Sequence, residues 1–163
     1  RMPVSPKAAS KSMIRDTIKA ALTGAMKAGD TVRRDTIRLI QAAHKNRDIE
    51  LRGGAAAPAD DDALVTEVLQ KMVKQRRESV ALYEQGGRRE LADAERAEIS
   101  VIETFLPRQM SEEEARAAIA AIVAESGASS LKDMGRVMAA LKARHGGALD
   151  MAKAGALVKA ALA

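Results

Sequence analysis

The chain has 163 residues, 27 Lys and Arg against 22 Asp and Glu, and a formal charge of +5. Cysteine is absent and Tyr83 and Phe105 are the only aromatics, which excludes disulfides, thiolate catalysis and cysteine–metal sites, and argues against base-stacking recognition of single strands. Hydrophobic residues still make up 47% of the chain; with Ala, Leu, Val, Ile and Met supplying nearly all of them, the core is one of closely packed helices.

Residues 1–12 lack the apolar run of a secretory signal. They read as a disordered lead-in or an expression remnant, with Met13 a candidate native start. No apolar stretch approaches the roughly 20 residues that cross a bilayer, so no membrane partner is expected and a cytoplasmic location is the default.

Ile14, Ile18, Ala21, Leu22, Ala25 and Met26 recur at helical spacing and predict a helix over 13–28. Gly29-Asp30 closes it and caps a second helix over about 31–51, with Val32, Thr36, Leu39, Ile40 and Ala43 on one face. Its other faces carry Arg33, Arg34, Arg38, Lys45 and Arg47. Residues 53–62 form a loop of glycines, a proline and three acids suited to a helix N-terminus. Consecutive Asp side chains point different ways and no fourth ligand is near, so a metal there is not expected.

The third helix, about 62–85, carries a stripe from Val65 through Leu69, Met72 and Val73 to Val80 and Tyr83. Gly86-Gly87 ends it, and a fourth helix runs through Leu91, Ala94, Ile99, Ile102 and Phe105 as the second arm of an antiparallel hairpin. Pro107 biases Leu106 away from helix, so this helix is expected to end near Leu106. Ser111 and Glu114 then form a capping box. Such a break with a new start built in reads as a hinge between an N-terminal helical domain, 13–106, and a smaller one, 107–163. The second domain should hold three helices: about 112–125, one from Ser130 with Asp133 as a second capping box, and one from Asp150. The fold class is all-α, a four-helix hairpin assembly plus a three-helix domain.

Charge is unevenly spread. Residues 1–52 carry +7, residues 53–110 carry −3 and residues 127–163 carry +4. Basic ends could meet a polyanion, but ordinary solvated surface is the simpler reading.

Several motifs stand in order along this chain: V-K-Q-R-R-E-S at 73–79, Y-E-Q-G-G-R-R-E-L-A at 83–92, E-R-A-E-I at 95–99, F-L-P-R-Q-M-S-E-E-E at 105–114 and G-A-S-S-L-K-D-M-G-R-V-M at 127–138. With the closing L-V-K-A-A-L they resemble the GatB/YqeY family, from about Met13 to the last residue, as a stand-alone YqeY-like protein. The resemblance implies the same all-helical, two-part fold. It also implies kinship with the tail of GatB, a subunit of the glutamine-dependent amidotransferase that amidates misacylated tRNA, where the tail helps hold the tRNA. Free-standing members are often labelled amidotransferase-like, a carbon–nitrogen ligase with glutamine as amido donor.

No catalytic constellation accompanies that label. A glutaminase nucleophile and a phosphate-cradling strand–loop–helix are both missing. His44 and His145 are far apart in sequence, each expected on a polar helix surface or near a helix end, His145 complementing the dipole. No cofactor and no metal are expected. The motif residues Lys74, Gln75, Arg76 and Ser79, with Tyr83, Arg88, Glu95 and Glu98, mark the hairpin as more than ordinary surface. Glu78, Glu90, Glu95 and Glu98 should pair with Arg76, Arg77, Arg88 and Arg89 in a lattice that fixes hairpin register.

The candidate nucleic-acid face is Lys132, Arg136, Lys142, Arg144, His145 and Lys153, a broad basic flank with Lys159 beyond it. Gly135 inside this stretch costs about 1 kcal/mol against Ala, so a close approach is expected there, by a helix in preference to RNA. The function expected is a non-catalytic accessory module that binds tRNA or a tRNA-handling enzyme. The alternative is a protein adaptor without RNA.

Overall fold

The computed structural model describes residues 13–54 and 60–163. The expected lead-in at 1–12 and the middle of the 53–62 loop lie outside them. Among the described residues there are seven α-helices and no strand: α1 (Met13–Ala28), α2 (Thr31–Arg52), α3 (Asp61–Gln85), α4 (Arg89–Glu103), α5 (Glu112–Ser126), α6 (Met134–His145) and α7 (Met151–Leu162). The fold is all-helical. Contacts divide the chain between Leu106 and Pro107 into two compact units, each with its own apolar cluster.

In the first unit, Ile18, Ile37, Ile40, Val65, Leu69 and Ile102 are almost wholly buried and join all four helices. The α3–α4 turn is tight. Gly87 takes a left-handed φ of 69°, a conformation that disfavours any residue with a Cβ, and the Arg88 amide donates to the Tyr83 carbonyl at 2.8 Å. The buried residues of α3 stop at Val73, so its last turns and the start of α4 make a largely solvated two-helix arm.

Two expectations need correction here. α4 ends at Glu103 rather than near Leu106. The amides of Thr104, Phe105 and Leu106 bond to carbonyls three residues back, a tightened last turn that turns Phe105 into the core with Arg33 over its ring, 5.4 Å from the centroid. The expected face of α2 holds only in part: Thr36 and Ile40 are buried and Ala43 packs toward the core. The buried ridge of the helix is Thr36, Ile37, Ile40 and His44, while Val32 and Leu39 are exposed.

The three acids at the head of α3 have separate tasks. Asp60 caps the helix by accepting from the Ala63 amide at 2.7 Å. Asp61 accepts from Arg15 Nε at 2.8 Å, and Asp62 from the Ile14 amide at 3.0 Å. Both reach across to α1 and tie its first turn down.

In the second unit the Ser111–Glu114 capping box forms in both directions. Ser130 and Asp133 also form a box, but it opens a 3-10 turn at Leu131–Asp133, and α6 begins only at Met134. The entering segment is pinned to the 3-10 turn that follows α6: the Met110 amide donates to the Ala148 carbonyl at 2.8 Å, and Gln109 Nε2 to the Gly147 carbonyl at 2.9 Å. The core is built from Ile119, Ile122, Val137, Leu141 and Val158.

Candidate functional site

On the hairpin, Arg76 is half-buried and donates through Nε to Glu98 at 2.8 Å and through Nη1 to the Met72 carbonyl at 3.3 Å. This pair locks α3 to α4 where the hairpin leaves the core. The Ser79 hydroxyl donates back to the Gln75 carbonyl at 3.2 Å, and Lys74 and Gln75 are exposed. Tyr83 is half-buried near the tip; Arg88 is exposed and precedes α4 without a side-chain cap.

The lattice forms only in part. Arg77 reaches Glu103 at 3.7 Å, and Arg96 bridges Glu84 and Asp93. Glu78, Glu90, Glu95, Arg88 and Arg89 make no ion pair among the described residues. Between the helices an open groove of about 350 Å³ has Val80 and Ile99 as its floor and Arg77, Arg96 and Glu103 as its rim.

On the basic flank, Lys132, Lys142 and Lys153 are exposed and make no ion pair among the described residues. The two arginines differ. Arg136 donates to Asp133 at 3.0 Å, and Arg144 to Glu125 at 2.6 Å, which holds the Glu125 carboxyl below its usual range. Both pairs are exposed, so a phosphate could replace either carboxylate at small cost. His145 is the half-buried last residue of α6. The close approach expected at Gly135 is absent: the residue is exposed and a Cβ there would meet nothing within 4 Å.

One cluster escaped the sequence reading. His44, expected on a polar surface, is 5% exposed. Its Nε2 is buried and has no hydrogen-bond partner. Above it Arg15 grips Asp48 through both terminal nitrogens, at 3.2 and 3.0 Å, and Asp61 through Nε. One guanidinium thus joins α1, α2 and the head of α3. Burial, and then the Arg15 charge, push the His44 pKa down, against the pull of Asp48 and Asp61. A cavity of about 250 Å³ beside it is lined by Arg15, Lys19, Gln41, His44 and Lys45. The available signal was the spacing Ile37, Ile40, His44, which places the histidine on the buried ridge. No group of acids and histidines among the described residues is arranged to hold a metal.

A family profile described as "Yqey-like protein" matches residues 15–162. A relative from Eremothecium gossypii, "Altered inheritance of mitochondria protein 41, mitochondrial", is 35% identical over 89 residues, 55% of this chain and 46% of that protein. The match therefore spans under half of the relative's length.

Proposed function

The chain belongs to the YqeY-like family, and from that premise we propose that it is a non-catalytic accessory module that holds tRNA, or an enzyme acting on tRNA, by the basic flank of its second unit. In this reading the first four helices form the hairpin assembly and the last three a tail akin to that of GatB. The observation that carries it is that three lysines of this unit, Lys132, Lys142 and Lys153, are exposed and without acidic partners among the described residues. Structured RNA hides its base edges, so the contacts are to phosphate and shape. About four neutralised phosphates give a log–log salt slope of roughly −3 to −4.

Charge reversal is best placed at Lys142 and Lys153. At Arg136 it would set a second carboxylate beside Asp133 and disturb the start of α6. Lys142→Glu with Lys153→Glu should weaken tRNA binding about tenfold or more while helicity and melting stay unchanged. Equal affinity of wild type and double variant for tRNA across salt would remove this face from the proposal. Glutamine hydrolysis by the purified chain would remove the non-catalytic part. A cytoplasmic setting belongs to the same proposal; no described helix is long and apolar enough to cross a membrane.

A further inference from the structure

Among the described residues of the first unit, the outward face of α2 has no partner, yet its residues are patterned. Val32, Leu39 and Ile49 are 52%, 45% and 53% exposed, and Asp35, Ala42 and Asn46 between them are exposed too. At 100° per residue these six positions fall within about 100° of arc, and their steps alternate three and four as in a coiled-coil seam. Along one border, seven residues apart, stand Arg38, Lys45 and Arg52. All three are exposed and make no ion pair among the described residues. The other border holds Glu50, which Arg47 already binds at 3.1 Å, and Ala43, which packs toward the core. Asp35 within the seam is neutralised by Arg34 at 2.9 Å.

We propose that this face docks an amphipathic helix of a partner protein whose flank is acidic. Seating such a helix covers the three apolar side chains and gives each of Arg38, Lys45 and Arg52 a carboxylate. Asn46 at an inner seam position finds a polar side chain on a helix but none in a lipid tail, which disfavours a membrane. An antiparallel second copy of α2 would bring a like row of cations against this one. RNA would use the cations and leave Val32, Leu39 and Ile49 uncovered. The inference is independent of the RNA reading, because it rests on the other unit.

The test uses the full chain and a labelled synthetic helix of about three heptads, with Leu at the inner positions, one Asn, and Glu along both flanks. An otherwise identical peptide carrying Lys for Glu is the control. The Glu peptide should bind at least about tenfold more tightly than the Lys peptide. Leu39→Asp with Ile49→Asp should abolish that binding; Leu39→Ala with Ile49→Ala serves if Asp disturbs folding. Reversing all three cations, Arg38→Glu, Lys45→Glu and Arg52→Glu, should transfer the preference to the Lys peptide. Binding of neither peptide, equal binding of both, or indifference to the Leu39 and Ile49 changes would overturn the proposal. Two further arms name the competitors. Flotation with phosphatidylserine vesicles that depends on Leu39 and Ile49, without peptide binding, would assign the face to lipid. Loss of tRNA binding on reversing the three α2 cations, again without peptide binding, would assign it to RNA.

Discussion

Gly127 and Gly135 make opposite demands on the same small unit. Gly127 closes α5 with a left-handed φ of 68°, and a Cβ there would touch nothing within 4 Å. A side chain would cost only conformational energy, so Gly127→Ala should lower stability by about 1 kcal/mol. Gly135 is the second residue of α6, also in open space, with no positive φ. Gly135→Ala should therefore raise stability, by about 0.5 kcal/mol at this first-turn position, seen as a higher urea midpoint with unchanged slope. His44 shows the same local logic applied to charge. Its pKa is depressed in the folded chain, so the unfolded chain binds the proton more readily and stability falls as pH drops below the ordinary histidine value. The urea midpoint should decrease between about pH 7.5 and pH 5.5, and His44→Leu should flatten that limb. The same variant should leave the steeper loss below about pH 4, where the paired carboxylates protonate.

Where a cap sits at the helix end itself, that end was legible in the sequence because caps are local chemistry. Gly29-Asp30, Gly86-Gly87 and Ser111 with Glu114 each act within one turn, and α1, α3 and α5 begin or end where those residues said. The buried face of α2 was legible only in part, at Thr36, Ile40 and Ala43. Val32 and Leu39 satisfy helical spacing with Ile40 as well as Ile37 and His44 do, and only packing against α1, α3 and α4 chooses between them. Ion pairs across helices divide likewise. Arg76 with Glu98 was foreseeable at the base of the hairpin, whereas Arg96 with Glu84 depends on side-chain rotamers near its tip. The capping box gives an element-scale prediction. Arg108, and then the Ser111 amide, hold the Glu114 carboxyl at about 2. Because that value is depressed, the stabilisation is present above the ordinary carboxylate range and is lost as pH falls toward about 2. Ser111→Ala should cost about 1 kcal/mol at neutral pH by opening the cap, read in the urea midpoint of the second unit.

The two apolar clusters share no residue, and the division falls between Leu106 and Pro107. Each unit has a core of its own, which is the physical condition for separate unfolding transitions. The chain supplies its own reporter for the difference, since its one tyrosine, Tyr83, lies in the first unit. Leu141 is fully buried in the second cluster, and Leu141→Ala should cost about 2 to 5 kcal/mol. A unit of this size holds roughly 3 to 9 kcal/mol in total, so the variant should leave it marginal or unfolded at room temperature. Far-ultraviolet circular dichroism should then lose about a third of its helical amplitude, the share contributed by α5, α6 and α7. Tyr83 fluorescence should keep its wild-type urea midpoint. Ile37→Ala, at a fully buried position of the first cluster, should do the reverse and move the Tyr83 midpoint alone. A shift of the Tyr83 transition by Leu141→Ala comparable to that by Ile37→Ala would mean that the whole chain unfolds as one body.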